Sequence, residues 1–145
     1  MQKIKFSINI QATPSKVWDA LWQDANYREW TSAFCEGSYA ISDWKEGSRV
    51  HFLSPDGGGM YSTIHKLITD KQMSFKHIGV MKNNEEQPLD DETKMWTGSM
   101  EEYFLTEENG GTTLTTQMDA ADSFAEYFAD TFPKALDKVK AIAER

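Results

Sequence analysis

The sequence predicts an α+β layer: a curved, mostly antiparallel sheet of about six or seven strands, with one long helix across its apolar face. Three observations predict it. Residues 122–144 read as a single amphipathic helix, residues 39–118 as successive short strands with tight connections, and an alternating strand followed by two short helices opens the chain. Short connections join antiparallel neighbours, and only the terminal helix is large enough to cover the sheet they make. No repeat, heptad or low-complexity tract interrupts the 145 residues, so residues 1–145 form one domain, long enough to bury a core without a disulfide or metal staple.

Residues 3–10 alternate strictly, with Ile4, Phe6, Ile8 and Ile10 on one face and Lys3, Lys5, Ser7 and Asn9 on the other, which is the signature of a half-buried strand. Thr13 before Pro14 is a helix N-cap with proline at the first helical position, and Val17, Trp18, Leu21 and Trp22 give that helix an apolar face. A second short helix follows through residues 27–30. Strand candidates then come at residues 39–43, 49–53, 60–69 and 72–81, with the turn Ser54-Pro55-Asp56-Gly57-Gly58-Gly59 after the second and Asp70-Lys71 between the last two. Period two places Met73, Phe75, His77, Gly79 and Met81 on one face. The acidic stretch 82–94 reads as a loop, either a solvated connector or an arch over a cavity mouth. Residues 96–106 read as strand with an unassigned inner face, because Trp96, Met100 and Phe104 compete with Tyr103 and Leu105. Asn109-Gly110-Gly111 makes a hairpin turn into residues 112–118, whose Leu114, Thr116 and Met118 share a side.

In the terminal helix, about 100° per residue lines up Phe124, Phe128, Thr131, Phe132, Ala135, Val139 and Ile142, with Tyr127 and Leu136 at the edges. Ser123 and Glu126 form a capping box, and Pro133 lies mid-helix on the polar face, where it should bend the helix toward the sheet.

The net charge of −8 opposes nonspecific binding to nucleic acid or to an anionic membrane, and no apolar stretch is long enough to insert in a bilayer. The amino terminus lacks a signal peptide's apolar core, and the single cysteine, Cys35, has no internal partner, so a cytoplasmic protein is expected.

Taken together, Ala12-Thr13-Pro14, Val17-Trp18-Asp19-Ala20-Leu21, residues 27–30, Gly47 and Asn109-Gly110-Gly111-Thr112-Thr113-Leu114 resemble the helix-grip fold of the START-like, or SRPBCC, superfamily. The resemblance is to its AHSA-like branch, named after the activator of the heat shock protein 90 ATPase. Two positions depart from the branch's habit: the paired glycine is Gly47-Ser48, and a proline turn is replaced by Asp70-Lys71. The full co-chaperone carries a further amino-terminal domain and a linker without counterpart in these residues.

What the resemblance implies is a cavity between sheet and long helix. From the strand and helix faces, the residues expected near it are Phe52, Met60, Ile64, Met73, Phe75, His77, Trp96, Met100, Phe124, Tyr127 and Phe128, each of which also reads as plain core. Rigid aromatics and adaptable methionines beside a few polar groups suit a small hydrophobic or amphipathic ligand. His77 either orients a polar ligand group, acts as acid or base, or is a bonded core histidine. Glu101 and Glu102 face opposite sides of a strand, so one points inward and needs a partner such as Arg49 or a tyrosine hydroxyl. The histidines and Cys35 have no ligand spacing, and the glycine runs no following Gly-Lys-Ser/Thr, so neither metal nor cofactor is expected.

The expected function is ligand binding without catalysis, as monomer or homodimer. Two alternatives stand beside it. One is a module of co-chaperone or stress-response type that docks a chaperone or other protein through its acidic loop and sheet edge; the other is a cyclase- or hydrolase-type enzyme using His77 and the inward glutamate.

Overall fold

The computed structural model describes residues 1–145 as β1 (Gln2–Ile10), α1 (Pro14–Trp22), α2 (Asp24–Thr31), β2 (Tyr39–Ile41), β3 (Arg49–Leu53), β4 (Gly59–Ile68), β5 (Gln72–Lys82), β6 (Glu85–Glu86), α3 (Asp91–Lys94), β7 (Met100–Glu108), β8 (Gly111–Ala120) and α4 (Asp122–Ala143). The α+β helix-grip arrangement is present. One antiparallel sheet runs in the order β1-β8-β7-β5-β4-β3-β2, with the two-residue β6 added to β5.

Local chemistry explains most boundaries. The Thr13 side chain accepts from the Lys16 N–H at 3.3 Å, and Pro14 opens α1 without losing a bond. Asn109 and Gly110 both take positive φ, 50° and 81°, which matches the twist of the β7–β8 hairpin. The stripe of α4 is buried from Thr131 onward, through Phe132, Ala135, Leu136, Val139 and Ile142, and Pro133 lies on its exposed side. Phe132 stacks on Phe6 of β1 at 5.3 Å. The helix does not use the capping box; Ala121 is its N-cap, without a side-chain bond, while Asp122 accepts from Gln2.

Residues 82–94 are more structured than a loop. Asn83 and Asn84 both have positive φ, 55° and 62°, and close a tight turn that pairs Glu85 and Glu86 with the end of β5. The short helix α3 is capped by Asp90, whose carboxylate accepts from the Thr93 N–H at 2.8 Å. The next strand begins at Met100, later than expected, because residues 96–99 turn: the Ser99 hydroxyl donates to the Trp96 carbonyl and Gly98 takes φ +89°.

A register shift between Tyr61 and Ser62 divides β5. Phe75 and His77 pair with Ile64 and Ser62, facing the main core, whereas Gly79 and Met81 pair with Tyr61 and Gly59. Met81 packs in a second small cluster with Leu53 and Tyr61. The five residues expected on one face are thus split between two, because the extra residue, Ile78, reverses the parity of everything after it.

Gly79 is where this second cluster is tightest. A Cβ there would meet the Tyr61 hydroxyl at 2.6 Å, and that hydroxyl is already fixed by donating to the Gln87 carbonyl at 2.8 Å. Gly79→Ala should cost about 1–3 kcal/mol in urea denaturation through overpacking. An unchanged midpoint would show that Tyr61 yields freely.

Candidate functional site

A cavity of about 470 Å³ opens between the sheet, α2 and the first half of α4. Its inner wall is Trp22 at the end of α1, Phe75 of β5 and Glu101 and Tyr103 of β7, with Met118 of β8 beside them. Tyr27, Trp30 and Thr31 of α2 form a second wall, Phe52, Leu53, Gly59 and Met60 a third, and Tyr127, Phe128 and Phe132 of α4 a fourth. Phe34, Cys35, Ser38 and Tyr39, from the connection after α2, also line it. Fifteen of the twenty lining residues are hydrophobic, so burial of apolar surface would dominate the binding of any occupant.

One polar chain breaks this apolar lining. The Ser62 hydroxyl lies 2.6 Å from His77 Nδ1, His77 Nε2 lies 3.1 Å from Glu101 Oε1, and the Tyr103 hydroxyl donates to Glu101 Oε2 at 2.5 Å. Only Glu101 and Tyr103 of these four reach the cavity; Ser62 is fully buried and His77 is 8% exposed. Burial acts to raise the Glu101 carboxyl. The His77 hydrogen bond, the charge the imidazole carries when protonated and the Tyr103 hydroxyl outweigh it, holding the group below the usual carboxylate range. Burial also pushes the Tyr27 and Tyr103 hydroxyls up, and the Glu101 charge adds to both. No lysine, arginine or histidine lies in the cavity lining.

The sequence profile described as Activator of Hsp90 ATPase homolog 1-like protein matches residues 11–144. The chain belongs to this family. Among solved structures, the Aha1 dimer from Colwellia psychrerythraea superposes with a TM-score of 0.73 at 22% identity, covering 99% of this chain and 97% of that one. An AHSA1-like protein from Aeromonas hydrophila gives 0.71 at 20% identity over 99% of this chain and 92% of its own. A protein from Mesorhizobium loti gives 0.72 at 16% identity over 97% and 96%. At these identities the likeness is one of fold. No curated protein sequence matches.

In this Hsp90-ATPase-activator-like chain, Phe52, Met60, Phe75, Tyr127 and Phe128 line the cavity, but the other six expected residues do not. Ile64 is core, and Met73 is core that borders a smaller recess of about 280 Å³ beside Trp18, Trp22 and Trp44. His77 sits one bond behind the wall, through Glu101. Trp96 is in the turn before β7, and Met100 shares the parity of Glu102 on the opposite face of the sheet. Phe124 is 58% exposed, one turn before the part of α4 that borders the cavity. Residues 82–94 do not reach the cavity either. Their Glu86 instead bonds Arg49 at 3.0 Å and His51 at 2.8 Å, so Arg49 is not the partner of the inward glutamate.

Sequence reasoning passed over Trp22, Tyr27, Trp30, Phe34, Tyr39, Tyr103 and Phe132 as lining and left Glu101 unassigned. A usable signal was present for β7. The two-residue turn at Asn109-Gly110 forces Leu105 opposite Leu114, Tyr103 opposite Thr116 and Glu101 opposite Met118, and antiparallel partners share a face. No comparable signal marks α2, whose cavity residues sit in a short, polar helix.

The depressed Glu101 carboxyl links stability to pH. Its folded value lies below its unfolded one, so its contribution is complete above the unfolded value and is lost as pH falls through the folded value. The stability difference between the wild type and Glu101→Gln, measured by urea denaturation, should therefore shrink steadily below about pH 5. A difference independent of pH would place the unfolded and folded carboxyls at the same strength.

Proposed function

We propose that this chain, as a cytoplasmic protein, binds a small hydrophobic or amphipathic molecule in the cavity between sheet, α2 and α4. The observation that carries the reading is the lining: aromatic walls on four sides, with one carboxylate and one hydroxyl at the inner end. A volume of about 470 Å³ falls within the roughly 300–1,000 Å³ of small-molecule sites, and membership of the family fits either a small ligand or a protein partner. No helix is long and apolar enough to cross a membrane.

Catalysis is not part of the reading. The separation that acid–base chemistry needs, His77 to an inward carboxylate, is met at 3.1 Å. Both imidazole nitrogens are engaged, however, by Ser62 and Glu101, and a carboxyl held down in proton affinity is a weak base. The arrangement fixes a charge in place better than it moves a proton.

The second reading, a protein-docking domain, draws on the family and on the exposed acidic side chains Glu85, Asp90, Asp91 and Glu92. The Colwellia psychrerythraea relative is a dimer, so self-association belongs to the same reading.

Saturating a hydrophobic ligand at about a hundred times its dissociation constant should add about 2.7 kcal/mol, or on the order of 5–10 °C in Tm for a domain of this size. Phe128→Ala should abolish that shift, since Phe128 lines the cavity but is only half-buried. Phe75→Ala is the poorer test, because Phe75 is fully buried and its loss would cost about 3–5 kcal/mol whether or not a ligand binds. No saturable shift across a panel of lipids and apolar dyes would refute the reading. Salt-sensitive association with a chaperone, weakened by neutralising Glu85, Asp90 and Asp91, would favour docking.

A further inference from the structure

We propose that the cavity takes a cationic amphiphile, whose apolar body fills the aromatic walls and whose ammonium group is received by the Glu101 carboxylate. The inference rests on the ligand-binding reading above and narrows it to a chemical class.

The donor and acceptor count at Glu101 carries the argument. A carboxylate has room for about four hydrogen bonds. The protein supplies two, from His77 Nε2 to Oε1 and from the Tyr103 hydroxyl to Oε2. Glu101 also lines the cavity, with 26% of its side chain still exposed, so its remaining acceptor capacity is open to an occupant. An occupant that meets those acceptors must bring hydrogen-bond donors.

The charge balance then selects among donors. Ser62 is fully buried, and its hydroxyl can donate to His77 Nδ1, which leaves the ring proton on Nε2 facing Glu101. That chain of bonds is complete with a single ring proton, so its geometry does not require a positive imidazole to cancel the carboxylate charge. The lining contains no cationic side chain to do so. The Tyr27 and Tyr103 hydroxyls are both raised in part by Glu101, so its negative field extends into the cavity and across it to α2. A neutral hydroxyl would satisfy the geometry alone, whereas an ammonium satisfies geometry and charge together.

The surrounding rings add to the preference. Trp22 and Tyr103 have centroids 5.0 Å apart, and Trp22 and Phe75 5.5 Å, all of them on the inner wall that Glu101 shares. Aromatic faces attract cations, most strongly where water is excluded. An anionic amphiphile meets the opposite condition: it would face Glu101 with no positive partner.

The test uses the full chain and three probes of matched shape: naphthylethylamine, naphthylethanol and naphthylpropionate, titrated calorimetrically near neutral pH. The amine should bind about tenfold tighter than the alcohol, or more, with the propionate weakest. Glu101→Gln should remove the amine's advantage over the alcohol, while Glu102→Gln, on the other face of β7, should leave the order unchanged. Alcohol binding as tight as amine binding in the wild type would overturn the proposed class and leave ligand binding standing. No saturable binding of any probe, or of an apolar dye, would remove both readings. An amine preference that survives in Glu101→Gln would overturn the carboxylate as its receiver. Should Glu101→Gln fail to fold, the wild-type order of the three probes decides.

Discussion

The ring of Trp22 is the fixed point on which the rest of the molecule is assembled. Six aromatic rings have centroids between 5.0 and 6.4 Å from it: Trp18, Tyr27, Trp30, Trp44, Phe75 and Tyr103. They come from α1, α2, the segment before β3, and strands β5 and β7, so a single side chain ties both short helices to the middle of the sheet. Such pairs contribute about 0.5–1.5 kcal/mol each beyond the area they bury, and most here are edge-to-face. Trp30 is oriented further by donating from Nε1 to the Leu21 carbonyl at 2.9 Å. Trp22 itself leaves Nε1 buried without a partner, so its position is set by packing alone. The inner wall of the cavity is accordingly stiff, and any adjustment to an occupant falls to α4 and the connection after α2.

Against that wall the polar chain from Ser62 to Tyr103 has a structural role as well as a chemical one. It runs across β4, β5 and β7, joining three neighbouring strands on one face. Removing one member would leave a buried donor or acceptor unsatisfied, a cost of about 1–3 kcal/mol. Two register shifts permit the chain: counted from the β4–β5 turn, the one between Ile64 and Lys66 brings Ser62 opposite His77, and the one at Ile78 then sends Met81 to the opposite side. Register and charge placement are therefore one constraint seen twice.

Most of the fold could be read directly because its signals are local. Strict alternation in β1, the Thr13-Pro14 cap, the Asn109-Gly110 turn and the stripe of α4 each depend on residues within a few positions of one another. The cavity was legible only in part, because lining it depends on which side of a bulge a residue falls and on which short helix leans inward. Ile78 is an ordinary strand residue by composition, and nothing near it announces that it is the inserted one. Asn83-Asn84 was a readable signal of a different kind: two asparagines between strands suit a turn with both residues at positive φ. Glu101 needed a count of register from the hairpin, a step longer than parity alone.

The uneven burial of α4 makes it two thermodynamic units in one continuous helix. From Thr131 onward its buried side chains share the main core with Val17, Leu21 and Leu114, so that half opens only with the domain. Before Thr131 no residue is fully buried, the N-cap has no side-chain bond, and Phe124 and Tyr127 are 58% and 45% exposed. Fraying of these first turns exposes little that is not already wet, so it costs far less than global unfolding. Tyr127 and Phe128 lie in this cheaply opened half and also border the cavity. Fraying at that end of α4 would therefore widen the mouth of the cavity without any movement of the sheet.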